Sequence, residues 1–264
     1  MNVGSLIHRS LLHSGRFFFR VRNALFPVIF LLFLILVRPA VFLGNEKLDA
    51  VVTAAGILIA LAGQAFRLLV IGYAYVRRGG KNKEVFANEL VTRGFYAHTR
   101  NPMYVGNFLI IAGLSLLYGS PWVYAVAIPF FAWVYLAIVT AEEAYLRDKF
   151  GAVYEAYAKK VNRFWPDLRG IRGSLAEFRY DWRRTLVKEY NTLVFTLATL
   201  LGLFVWKMAY VYGLETHRTL IQVLSAGFIP LGLFYVSVRF LKKTRHLRPE
   251  RKAESETAVL RTTK

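Results

Sequence analysis

Six apolar stretches, each about as long as a bilayer's hydrocarbon core is thick, divide this sequence, and Lys and Arg gather in only some of the segments between them. A transmembrane helix needs roughly 20 mainly apolar residues. The stretches run over residues 24–43, 50–76 and 102–118, then from the turn Gly119-Ser120-Pro121 to about 140, and finally over 190–210 and 220–240. The chain is 56% hydrophobic and 16% aromatic, more apolar than a soluble domain of its length. An all-α polytopic helix bundle with six spans is therefore expected.

Position gives the net charge of +19 its meaning. Arg9, Arg16, Arg20 and Arg22 precede the first span, and Arg77, Arg78, Lys81, Lys83, Arg93 and Arg100 separate the second from the third. A long basic segment from Arg147 to Lys188 follows the fourth, and Lys242, Lys243, Arg245, Arg248, Arg251 and Lys252 follow the sixth. The segments 44–49, 119–121 and 213–217 are short and nearly free of Lys and Arg. Positive loops stay cytoplasmic, so both termini are expected on that side. Charge placed between spans rather than on one soluble face argues against nucleic acid as a partner. The chain has no cysteine, which excludes disulfides, thiolate metal sites and cysteine nucleophiles. No metal site is expected.

No small-x-small cleavage site follows the first apolar run, so it reads as a retained span. The chain reads as one membrane domain: an arm over 1–23, two spans with their loop over 24–92, a hairpin and following helix over 93–166, a linker and two spans over 167–247, and a polar tail over 248–264 expected to lack fixed structure. The arm, apolar residues among arginines, reads either as an interfacial helix or as a topogenic flank. Lys207, near the outer end of span five, is expected to snorkel.

The third and fourth spans carry the chemistry. A crossing followed by a tight turn returns the chain to the surface it left, so Arg100-Asn101-Pro102-Met103-Tyr104 and Glu142-Glu143 should meet there. Pro102 suits a first helical turn. The unpaired N–H groups of that turn suit an anion, and the two carboxylates suit an ammonium group or ribose hydroxyls. Beyond them Leu146, Phe150, Tyr154, Tyr157 and Val161 recur at helical spacing, an amphipathic segment that Gly151 could break. It reads as an interfacial anchor in which Tyr154 and Tyr157 could also wall a pocket. In span two, Gln64 and Arg67 share a face. An intramembrane arginine needs a partner: a lipid phosphate, a substrate carboxylate, a hairpin glutamate, or interhelical carbonyls in a structural role. Gly56 and Ala60 form a small-residue packing face.

The stretch 94–106, with Gly94, Tyr96, Arg100, Asn101, Pro102, Tyr104 and Gly106, resembles the G-x-Y-x-x-x-R-H-P-x-Y-x-G signature of isoprenylcysteine carboxyl methyltransferases and related phospholipid methyltransferases. Glu142-Glu143, Leu146, Phe150-Gly151, Tyr154, Tyr157, Val161, Arg163 and Pro166 are similar to the same family's second run. The resemblance implies an S-adenosylmethionine-dependent methyltransferase acting on a lipid-like acceptor. It implies cofactor contacts at Tyr96, His98, Arg100, Asn101, Pro102, Tyr104, Glu142, Glu143, Tyr154 and Tyr157. It places Arg163 where an anionic substrate group could be held, and Arg67 is the second residue expected to serve the substrate. Asn101 departs from the family's His and cannot titrate near neutrality, which excludes a base at that position. Sterol reductases, distant relatives that bind a nicotinamide dinucleotide, supply one rival reading. A non-enzymatic membrane scaffold or transporter supplies another.

Overall fold

The computed structural model describes residues 3–73, 78–81, 84–87, 89–244 and 246–247. Helix α1 (Val3–Leu36) is followed by a short 3-10 turn at Phe42–Gly44 and by α2 (Glu46–Tyr73). A small antiparallel hairpin, β1 (Arg78–Lys81) with β2 (Glu84–Ala87), was not expected from the sequence. A 3-10 turn at Gly94–Ala97 leads into α3 (Pro102–Tyr118). After a π-turn at Val123–Ala127 come α4 (Ile128–Phe150), α5 (Ala152–Lys160) and α6 (Ile171–Ala176). Helices α7 (Trp182–Val211), α8 (Arg218–Ala226) and α9 (Phe228–Lys243) complete the described chain. The polar tail over 248–264 lies outside the described residues.

Among the described residues, four helical stretches have the length and apolarity to cross a membrane: α2, Val123–Phe150, α7 and the joined α8–α9 at Arg218–Lys243. Helix α3 is apolar but shorter, 17 residues, about 26 Å at the helical rise. Helix α1 runs for 34 residues and takes in the arm and most of the first expected span. Each of the six expected spans overlaps a helix, although the first leaves α1 at Leu36 and the second is described only to Tyr73, and the chain is an integral membrane protein built as a helical bundle.

Local chemistry sets the helix ends. Asn45 Oδ1 accepts from the Leu48 amide at 3.1 Å, and Asp181 accepts from the Arg184 amide at 2.8 Å, each satisfying an orphan donor of a first turn. Helix α3 begins on Pro102 and ends at Gly119, whose φ of 77° lies in the left-handed region. Only glycine fits there, because a Cβ would lie 2.3 Å from the Ala40 carbonyl. That turn reverses the chain between α3 and α4.

Helices α2 and α3 approach so closely that a Cβ on Gly56 would sit 2.6 Å from the Gly113 carbonyl, and one on Gly63 would sit 2.8 Å from the Gly106 carbonyl. Backbone contact of this kind is the means by which membrane helices associate without a hydrophobic driving force. The small-residue face expected at Gly56 and Ala60 is this seam, which Gly63, Gly106 and Gly113 extend. Helix α1 lies along α4, antiparallel to it: Gly15 meets Ala137, and Phe18 and Phe19 are buried with Val134 and Ile138. Of the two readings of the arm, the interfacial one is altered in that Phe18 and Phe19 are buried against protein. Its phenylalanines pack on α4 because α1 continues without interruption into the first span.

Helix α7 lies across α2 and α3, and its far end corrects a second expectation. Lys207 does not snorkel. It is fully buried, with Nζ 2.7 Å from Asp49 Oδ1 and 3.0 Å from Thr53 Oγ1. Tyr212 donates to the other oxygen of Asp49 at 2.8 Å, so the carboxylate is bound from both sides. Helix α9 returns antiparallel to α7, with Tyr190 against Tyr235 and Lys242 donating to the Val187 carbonyl.

Candidate active site

The entrance of α3 and the exit of α4 meet at the end of the bundle opposite Asp49 and Lys207. Asn101 is the residue before α3, and its side chain does not cap that helix. Its amide instead donates to Glu143 Oε1 and to the Arg163 carbonyl, both at 3.1 Å. One turn later Tyr104 donates its hydroxyl to Glu142 Oε1 at 2.6 Å. The two glutamates, both buried, are thus held by the two motif residues that the hairpin brings opposite them.

Three arginines surround the pair. Arg100 Nη1 lies 3.6 Å from Glu143 Oε1, and Arg163 Nε lies 3.1 Å from Glu143 Oε2. Arg163 also donates to Thr140 Oγ1 at 2.8 Å. Arg22 donates to the Tyr104 hydroxyl at 3.2 Å and lies 3.8 Å from Glu142. Arg22 and Thr140 were not singled out from the sequence, since an arginine in a basic flank carries no mark of a site. The Arg100 Nε is buried without a hydrogen-bond partner among the described residues, as is the Arg163 Nε, and each could donate to a ligand.

The loop after α5 closes one side. Thr99 donates to the Phe164 carbonyl, the Arg100 amide donates to Asn162, and the Asp167 amide donates to His98. His98 is buried, with Nδ1 against the Asp167 carbonyl and Nε2 2.9 Å from Ser174 Oγ. A carbonyl only accepts, so Nδ1 carries a proton. Hydrogen bonds from Arg169 hold the neighbouring Asp167 carboxyl down at about 2.

The remaining expected residues form the packing beneath this loop. Tyr96 is buried with Val70 and Phe95, and its carbonyl accepts from the Tyr157 hydroxyl at 2.7 Å. Tyr154 and Tyr157 are buried with Leu146 against Leu90. Gly151, at φ 51°, separates α4 from α5 and turns these tyrosines onto the hairpin. The amphipathic segment is packed onto protein here rather than lying free.

Arg67 is not brought to the glutamate pair. It donates to both carboxylate oxygens of Glu189 on α7, with Nε 3.0 Å from Oε2 and Nη2 2.9 Å from Oε1, and also to Asn107 on α3. Gln64 accepts from Thr196 at 3.0 Å. Both polar residues of span two are thus engaged by α7.

Chemically, paired carboxylates beside guanidinium groups and an orphan donor suit a zwitterionic amino-acid group. Carboxylates accept from an ammonium, and guanidinium groups bind a carboxylate. The donor set fits the amino-acid portion of S-adenosylmethionine. No group of three or more His, Cys, Asp or Glu placed to hold a metal occurs among the described residues.

Residues 51–153 match the profile of a family described as phospholipid methyltransferase. The chain is 34% identical over 163 residues to the protein-S-isoprenylcysteine O-methyltransferase of Schizosaccharomyces pombe, covering 61% of this chain and 63% of that protein. It is 36% identical over 118 residues to the cobalt-zinc-cadmium resistance protein CzcN of Cupriavidus metallidurans, covering 45% and 49%. It is 35% identical over 86 residues to the nickel-cobalt-cadmium resistance protein NccN of Alcaligenes xylosoxydans xylosoxydans, covering 33% and 40%. The chain therefore spans between 40% and 63% of the length of these relatives. No solved structure matches it significantly.

Proposed function

We propose that this integral membrane protein, whose residues 51–153 match the profile of a family described as phospholipid methyltransferase, is an S-adenosylmethionine-dependent methyltransferase acting on a lipid-like acceptor. The observation that carries the reading is the meeting of Asn101 and Tyr104 with Glu143 and Glu142 at one end of the hairpin. When bound, S-adenosylmethionine supplies a methyl group on a positively charged sulfur. The residues of the chain hold and align: Glu142 and Glu143 take the ammonium or ribose hydroxyls, and Arg100, with its orphan Nε, takes the carboxylate. Arg163, on the rim, is placed to hold an anionic group of the acceptor. Tyr96, His98, Tyr154 and Tyr157 fix the loop and α5 that exclude water from the site.

Methyl transfer from a sulfonium is an in-line displacement, for which alignment and exclusion of water matter more than a strong base. Asn101 supplies no base, which suits an acceptor that is already ionised. The S. pombe relative is named as an O-methyltransferase of isoprenylcysteine, and a carboxylate acceptor of that kind is the reading favoured over an amine. The clustering of Lys and Arg in alternate loops supports a cytoplasmic side for both termini and the site.

The test is incubation of membranes containing the protein with S-adenosylmethionine tritiated in its methyl group. Label in the organic extract that mild base releases as methanol marks a methyl ester, and base-stable label marks an N-methyl product. No label above that of a Glu142→Gln/Glu143→Gln control would contradict the proposal.

A further inference from the structure

We infer that Glu189 of α7 is a positioning residue for the methyl-donor site and acts on it through Arg67, Asn107 and Tyr135. The inference rests on the methyltransferase reading, but it starts from a helix outside the family segment, which ends at residue 153. It also gives Arg67, which stands apart from the glutamate pair, a part other than holding an anion of the substrate.

Charge comes first. Glu189 takes Arg67 by both carboxylate oxygens, at distances between 2.7 and 3.0 Å, and both side chains are more than nine-tenths buried. A guanidinium paired in this bidentate way has no net charge left for a phosphate or carboxylate of the acceptor. Its Nη1 donates to Asn107 Oδ1 on α3. Gly106 permits that reach. A Cβ there would lie 2.6 Å from Arg67 Cγ, so the arginine stem crosses α3 where the helix has no side chain.

With Oδ1 turned to Arg67, the Asn107 amide nitrogen is left to donate, and it hydrogen-bonds the Tyr135 hydroxyl. Tyr135 is buried, and its ring lies 5.6 Å from that of Tyr104 at an interplanar angle of 56°. Tyr104 in turn donates to Glu142 at 2.6 Å. Tyr104 and Asn107 are three residues apart on one face of α3, about 4.5 Å along its axis. The contacts form an unbroken series from α7 to the carboxylate proposed to take the donor's ammonium or ribose hydroxyls. Each link fixes the next. Glu189 sets the plane of the guanidinium, and the guanidinium sets which way the Asn107 amide faces. The amide holds the hydroxyl end of Tyr135, whose ring sets the tilt of Tyr104. Without the Glu189 carboxylate the guanidinium loses its fixed plane, and the Asn107 amide is free to turn over.

The experiment measures S-adenosylhomocysteine affinity by calorimetry on purified full-length protein in detergent, and hydrogen exchange of its peptides by mass spectrometry. The variants are Glu189→Gln, Tyr135→Phe, the two combined, and Arg67→Met/Glu189→Leu, whose apolar pair keeps the helices packed. Each is expected to weaken binding by about 2- to 30-fold. Exchange should quicken over residues 101–107 and 140–146 and stay unaltered around Lys207. Because Glu189→Gln and Tyr135→Phe interrupt one series, their combination should be no weaker than the worse of the two, whereas independent packing defects would add. Unchanged affinity in a folded Tyr135→Phe or Arg67→Met/Glu189→Leu protein overturns the inference. So do additive losses, or a rise in the KM of the acceptor alone, which is what an Arg67 that held the acceptor would give. Tyr135→Phe removes a single hydroxyl and decides where the pair variants do not fold. Unaltered protein that binds no S-adenosylhomocysteine would refute the methyltransferase reading, and the exchange data, which need no donor, would then decide whether Glu189 positions Tyr104.

Discussion

Asn101 and Glu143 are joined by a 3.1 Å hydrogen bond in which the amide before α3 donates to a carboxylate near the end of α4. The bond ties together two parts of the chain that are remote in sequence and shares its carboxylate with Arg100 and Arg163. It closes the hairpin at this end of the bundle. Asn101→Asp replaces the donor with a second carboxylate and is expected to destabilise the protein by about 1–3 kcal/mol. Adding Glu143→Gln, whose amide can donate in return, should recover most of the loss. Thermal unfolding in detergent of the two single variants and the double variant checks the cycle; independent effects would mean that the bond is not formed.

Arg67 and Glu189 should behave as a buried pair. Either Arg67→Ala or Glu189→Ala leaves an uncompensated charge among the helices and is expected to cost about 3–5 kcal/mol. The double variant Arg67→Met/Glu189→Leu should be much less damaged. Chemical denaturation measures this, and equal damage in single and double variants would show that the pair is not the reason α7 docks on α2.

Lys207 and Asp49 allow a separation of stability from binding. Lys207→Met strands Asp49 in the protein interior, so the unfolding temperature should fall clearly. The pair lies at the end of the bundle opposite Glu143, and the affinity of any folded protein for S-adenosylhomocysteine should be unaltered. A parallel loss of affinity would show that the two ends are coupled.

What the sequence made legible follows from which interactions are local. Pro102, the Gly119 turn and the spacing of the spans are written in neighbouring residues, so α3, α4 and the meeting of Asn101 with the glutamate pair could be read directly. Partners of lone charges could not. Lys207 resembled any lysine near a span's end, because Asp49, its partner, is separated from it by most of the chain. Glu189 follows Lys188 at the start of α7 and looks like an ordinary boundary residue, yet it was among the few acids able to answer Arg67. The arm of α1 stayed ambiguous because arginines among phenylalanines suit a membrane surface as well as they suit a helix packed on α4.

The seam between α2 and α3 should tolerate no added atoms. A Cβ on Gly113 would lie 2.4 Å from the Gly56 carbonyl, where only backbone movement could relieve it. Gly113→Val is expected to cost about 1–3 kcal/mol or more through overpacking. Gly173, whose Cβ meets nothing within 4 Å, is the control. Unfolding temperatures of Gly113→Val and Gly173→Ala that match would argue against close helix contact.

The claim on which the rest stands is that the ends of α3 and α4 hold one ligand, and calorimetric titration addresses it without knowledge of the acceptor. Purified protein is titrated with S-adenosylhomocysteine and, separately, with NADPH, and the first titration is repeated on Glu143→Gln. Saturable binding of S-adenosylhomocysteine, about tenfold or more weaker in the variant, with no heat from NADPH, is the expected result. Binding of NADPH alone, or an affinity for S-adenosylhomocysteine that Glu143→Gln leaves untouched, would contradict it.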